Sequence, residues 1–190
     1  MGVDIHQYNI IRFKDSTTVL QDGAQLTIRT ERSDDGVEYE VNDETYASSF
    51  IPELIPGRDS VMFAFMADGR GDAPFKIHPE SGIPEILLDP KWAEEKKLLT
   101  EGRFGDCWYY VIDLLAQLKK AAERIKWYMQ VKAAKDPDYL KWGEVEEDEW
   151  QLKKIRKIID DLAVSMKKND DETAKKIDWE KTQICFNFDC

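Results

Sequence analysis

Cysteine and histidine are scarce in this sequence, three and two among 190 residues. Cys107, Cys185 and Cys190 are odd in number and contain no close pair, which excludes a fully bridged extracellular framework. With no apolar signal segment at Met1, the expected compartment is a reducing cytoplasm. Long apolar runs are missing too: no window nears the roughly 20 residues of a membrane-spanning helix, so no membrane partner is expected. Positive charge is in deficit, 27 Lys and Arg against 38 Asp and Glu, and the net charge of -11 repels phosphate backbones. Direct nucleic-acid binding through a basic patch is therefore disfavoured. An acidic surface does suit a basic partner, including a nucleic-acid-binding protein whose groove it could occupy. Ser-His-Asp ordering, nucleophile elbow, zinc-helix motif, dinucleotide fingerprint and phosphate loop are all absent, and the sequence names no cofactor.

Aromatic residues are plentiful. Eight Phe, seven Tyr and six Trp, within 42% hydrophobic residues, are too many for a disordered chain. A single domain over residues 1–190 is expected, large enough to remove roughly 70% of its unfolded surface from water.

The opening run MGVDIHQYNIIRF reads as a first strand, and alternation puts Asp4 and His6 on the same face. Its expected neighbour is the closing run Gln183 to Asp189, with Ile184, Phe186 and Phe188 on one side and Cys185, Asn187 and Asp189 on the other. After a polar break at Lys14 to Thr18, residues 24–32 and 37–41 alternate around Asp35-Gly36 and predict a hairpin. Val61 to Met66 predict a short buried helix of about two turns, capped by Asp59 or Ser60 and closed at Asp68-Gly69. Residues 69–90 hold three Gly and four Pro and read as a long ordered loop or lid. Its Arg70-Gly71-Asp72 tripeptide is too short a match to assign adhesion. Asp89-Pro90 starts a short helix over Lys91 to Thr100, which Gly102 and Gly105 break.

Trp108 to Ile112 has strand propensity, with Asp113 as cap of the helix that follows. Leu114, Leu118, Ala122, Ile125 and Met129 then recur at spacings of three and four, as do Leu152, Ile155, Ile159, Leu162 and Met166 over Glu146 to Lys168. Residues 113–168 thus form an arm of two antiparallel helices. The fold class is α+β: an antiparallel sheet of about four or five strands including both termini, a short buried helix, and a long antiparallel helical hairpin.

MGVDIH, GRDSVMFAFMADGR, the GIPE segment, the aromatic strand leading into Asp113-Leu114-Leu115, and ICFNFD cover roughly a third of the chain. In that order they resemble a family of uncharacterised proteins found mainly in bacteriophages and prophages, usually opening MG-x-DIH. The resemblance implies a phage origin and a bacterial host cytoplasm, and carries no activity. Two departures stand out: Phe104-Gly105-Asp106-Cys107-Trp108 has no histidine where the family is expected to have one, and the helical hairpin is longer than the family's connection.

Three groups of residues carry candidate chemistry. Asp4 and His6 are either metal ligands or an acid/base pair, with Cys107, His78 or Asp189 as third member, or else a hydrogen-bonded pair that pins the first strand. Arg58, Arg70 and Asp72 flank the short helix and, with Cys107, are candidates for holding an anionic ligand, although salt bridges of Arg58 to Asp59 and Arg70 to Asp72 would account for them equally. Trp127, Trp142 and Trp150 are candidates for a partner or homo-oligomer interface on the hairpin, or else pack inward at its base. Two functions follow. One is a phage accessory protein that neutralises a host defence protein or sequesters a small anionic, nucleotide-like ligand. The other is a small metal-dependent hydrolase or nucleotide-processing enzyme using Asp4 and His6.

Overall fold

The computed structural model describes residues 4–16, 18–22, 27–32, 38–39, 51–55, 59–66, 75–101, 104–136, 138–139, 144–167 and 177–189. Strand β1 (Asp4–Arg12) alternates as its sequence requires, and β7 (Gln183–Asp189) lies antiparallel beside it, from Asp4↔Asp189 to Ile10↔Gln183. The two ends of the chain are therefore central neighbours. Around them β2 (Thr18–Asp22), β3 (Thr27–Arg32), β4 (Glu38–Tyr39), β5 (Glu80–Ser81) and β6 (Phe104–Tyr110) complete an antiparallel sheet of order β4-β3-β2-β1-β7-β6-β5. Five strands are long; β4 and β5 have two residues each.

Alternation gives the sheet two apolar faces, and each is covered. Ile5, Ile11, Val19, Tyr109, Ile184 and Phe186 face a layer made of helices α1 (Ser60–Met66), α3 (Val111–Lys135) and α4 (Glu144–Lys167). The hairpin of α3 and α4 contributes Leu114, Leu118, Ile125, Ile155, Ile158 and Leu162 to that core, so its apolar stripes are buried against the sheet. Tyr8, Ile10, Leu20 and Cys185 face the other way, under two 3₁₀ turns (Glu85–Leu88 and Pro90–Trp92) and helix α2 (Ala93–Thr100). Leu87, Trp92 and Leu99 close that smaller core. The α+β class, the sheet holding both termini, the buried α1 and the antiparallel helix pair all stand as the sequence predicts.

Local chemistry sets the element ends. Asp59 caps α1, its Oδ1 accepting the Met62 N–H at 3.0 Å, and Asp89 accepts the Lys91 N–H at 3.0 Å ahead of Pro90. Asp113 is not a cap. Helix α3 begins two residues earlier, because the Val111 N–H donates to Thr182 O at 3.0 Å and turns the chain out of β6; Asp113 sits in the first turn, where its charge suits the helix dipole. The strand β2 falls partly inside a stretch that reads as polar turn, and its pairing with β1 decides it. Gly82, φ +83°, donates its N–H to Asp106 O at 2.9 Å and lets the loop join β6. No helix among the described residues is long and apolar enough to cross a membrane.

Candidate functional site

The predicted candidates do not gather in one place. Positions 4 and 189 pair, and His6 pairs with Asn187 two residues along, so these positions share the sheet face opposite the hairpin. His6 is half-buried. Cys107 points into the hairpin-side core, away from His6, and burial followed by the Asp106 carboxylate pushes its thiol up to about 12. That is a structural thiol, not a ready ligand. His78 is exposed on the loop before β5, its backbone N–H held by Gln117. Among the described residues no three His, Cys, Asp or Glu side chains converge as a metal cluster. Arg58, Arg70, Asp72 and Trp142 lie outside the described residues. Trp127 and Trp150 stand out from the hairpin, 65% and 40% exposed.

A cleft opens where sequence reasoning proposed only an interface. Between the hairpin, α1 and the segment 51–55 is a cleft of about 1080 Å³. Its apolar floor is Leu54, Ile55, Met62, Met129, Leu152 and Ile158, with Trp150 beside them. Its rim carries five cations, Lys126 from α3 and Lys153, Lys154, Arg156 and Lys157 from α4, and four carboxylates, Asp59, Glu149, Asp160 and Asp161. Lys154 is engaged: its Nζ reaches Asp59 Oδ2 at 3.1 Å and lies 5.0 Å from the Trp150 ring centroid. Lys157 pairs with Asp161 at 2.6 Å. Lys126, Lys153 and Arg156 are exposed and hold no ion pair among the described residues. An apolar floor with a few convergent charges at its edge is the usual form of a small-molecule site.

Helix periodicity builds this rim. In α4 an acidic start, Glu144 to Glu149, is followed by KKIRK over residues 153–157, whose isoleucine is buried and whose cations face out. Helix α3 carries six Lys and Arg against two acids. Helix α3 is thus net basic, whereas α4, with seven acids to five Lys and Arg, gathers four of its cations over 153–157, a local run that the whole-chain charge hides.

The cleft wall is fixed by a buried amide ladder. Gln7 Nε2 donates to Pro52 O at 3.0 Å and to Asn9 Oδ1 at 3.1 Å, while Gln7 Oε1 accepts the Leu54 N–H at 2.8 Å. Gln21 Nε2 donates to Ile51 O at 3.1 Å, and Asn9 Nδ2 reaches Gln21 at 3.4 Å. Gln7 of β1 and Gln21 of β2, linked through Asn9, thereby supply the hydrogen bonds that a segment without regular structure needs when buried. At the far end, Tyr139 donates to Asp148 Oδ2 at 2.7 Å, with Lys132 4.8 Å from the Tyr139 ring, tying the turn of the hairpin to both helices.

Sequence reasoning missed Lys126, Lys153 and Arg156, and missed Gln7, Asn9 and Gln21. For the cations the signal was the run KKIRK at helical spacing. For the amides it was the odd positions of β1, where polar Gln7 and Asn9 interrupt apolar Ile5 and Ile11. Comparison with protein-family models, curated proteins and solved structures finds no match to this chain.

Proposed function

We propose that this chain is a phage-encoded accessory protein that acts by binding, capturing a small anionic, nucleotide-like ligand in the hairpin cleft and withholding it from a host defence system. The observation that carries this reading is the cleft itself: an apolar floor beside an indole, edged by three cations that hold no ion pair among the described residues, with the acids Glu149 and Asp160 between them, in a protein of net charge -11. A cleft of this kind rewards a ligand with a flat apolar part and one or more phosphates. Arg156 supplies the planar fork that suits phosphate, and Lys126 and Lys153 add point charges. The phage origin rests on the resemblance of the MGVDIH and ICFNFD blocks.

A thermal-shift panel of mono-, di-, cyclic and dicyclic nucleotides tests it. At least one should raise the melting temperature of the wild-type protein, and Lys153→Glu/Arg156→Glu should abolish the shift without lowering the ligand-free melting temperature. A panel without any shift overturns the reading. A host protein as partner is the second reading, favoured by Trp127, which stands 65% exposed on the basic helix α3. There, a pull-down should retain an acidic host protein at low salt and lose it at high salt or in Trp127→Ala.

A further inference from the structure

A second pocket, of about 300 Å³, is lined by Arg12, Glu85, Ile86, Tyr110, Lys181 and Gln183. Strand register explains the grouping. Gln183 of β7 pairs with Ile10 of β1 on one side and with Tyr110 of β6 on the other, and Arg12 follows Ile10 on the same face, away from the hairpin. Lys181 precedes β7, while Glu85 and Ile86 come from the first 3₁₀ turn, which buried Leu87 anchors over that face. Hydrogen bonds hold this frame. The Asp178 N–H donates to Arg12 O at 2.7 Å, the Arg12 N–H to Thr182 Oγ1 at 3.2 Å, and Thr182 Oγ1 in turn to Asp178 O at 2.9 Å. Arg12 Nη1 donates to Thr18 Oγ1, and the Tyr110 ring stands edge-on to Trp108 with centroids 5.2 Å apart.

Two groups at this pocket lack partners. Gln183 is buried, yet its side-chain amide makes no hydrogen bond among the described residues. Such an amide is costly unless satisfied, and one at the wall of a pocket takes its partners from what enters. Glu85 is exposed and holds no ion pair among the described residues. Lys181 is paired with Asp178 at 3.4 Å, so the wall carries, beyond that pair, one guanidinium and one carboxylate, together with an amide that both donates and accepts.

We propose that this pocket binds a small zwitterion, a free α-amino acid, whose carboxylate meets the planar fork of Arg12, whose ammonium meets Glu85, and whose polar head bonds to the Gln183 amide. The ligand's own side chain lies against Ile86 and Tyr110. A volume of about 300 Å³ is at the lower end of ligand sites, which suits a molecule of this size and not a nucleotide. A ligand without net charge also escapes the long-range repulsion of a molecule at -11. Arg12, Glu85 and Gln183 are far apart in sequence, and only strand register and the 3₁₀ turn bring them to one wall.

The test is calorimetric titration of the full-length protein with a panel of free amino acids, each ligand found being repeated as its N-acetyl and its carboxamide derivative, with inorganic phosphate as a further control. The expected result is one amino acid bound per chain, about tenfold or more weaker in either derivative and in Glu85→Gln, and weakened also in Gln183→Leu. Glu85 is exposed, so its variant should keep the fold, and the wild-type panel needs no variant at all. Affinity should be unchanged in Lys153→Glu/Arg156→Glu of the cleft. No binding at millimolar concentration, a derivative or phosphate that binds as tightly as the free amino acid, or equal affinity in Glu85→Gln would each overturn the assignment. So would loss of binding in the cleft variant, which would move the amino acid to the other site.

Discussion

At the scale of single residues, two positions give sharp expectations. Ser16 turns β1 into β2 at φ 71°, a region in which a Cβ is strained, while its N–H donates to Phe13 O at 3.0 Å. Ser16→Gly should stabilise the protein by about 0.5–1 kcal/mol in urea unfolding; a loss of stability would show that the serine side chain matters more than its backbone. Cys107 and Cys185 are buried free thiols. With Cys107 at about 12, thiolate at pH 8 is roughly one part in ten thousand, so in Cys190→Ser the native protein should leave a thiol reagent unconsumed and consume two equivalents in guanidinium. The parity of the cysteines could be read from the chain, but their inertness could not, because it comes from which face each strand position meets.

Among the elements, the cleft wall depends on polar contacts that a pattern of apolar residues cannot reveal. Gln7→Leu keeps volume but strands Leu54 N–H and Pro52 O, so it should cost about 2–4 kcal/mol and weaken ligand capture as the wall loosens. Urea denaturation with calorimetry on the variant checks both; unchanged stability would mean the segment 51–55 is held by Leu54 and Ile55 packing alone. Asp59 serves two elements at once, capping α1 and holding Lys154, and Asp59→Ala should cost about 1–2 kcal/mol, chiefly through the lost cap because the ion pair is partly exposed. The hairpin and the terminal strands were legible because their periods of 3.6 and 2 run long. Strand β2 was not, since Thr18 to Asp22 is short and begins within a turn-like cluster, and only its pairing with β1 from Tyr8↔Asp22 to Arg12↔Thr18 defines it. The cleft was illegible for the same kind of reason: it is a space between elements, although the cations lining it repeat at helical spacing.

For the molecule as a whole, pairing the two chain ends at the centre of the sheet makes the fold depend on contacts across its entire length. Buried Cys107, Cys185 and Tyr8 ionise at higher pH in the fold than in the unfolded chain. Above pH 9 the unfolded state therefore loses protons that the native state keeps, so stability falls with rising pH, by up to about 1.4 kcal/mol per pH unit per group. Urea midpoints from pH 8 to 11 should decline, and less steeply in a folded Cys107→Ala variant. Against the net charge of -11, the cations Lys126, Lys153 and Arg156 gather at the edge of the cleft, and that local cluster underlies the proposed capture of an anion. Calorimetric titration of the stabilising nucleotide at about 50 and 300 mM salt tests it most directly. The account predicts one site per chain, weaker at the higher salt and at least about tenfold weaker in Lys153→Glu/Arg156→Glu; an affinity indifferent to both salt and charge reversal would contradict it.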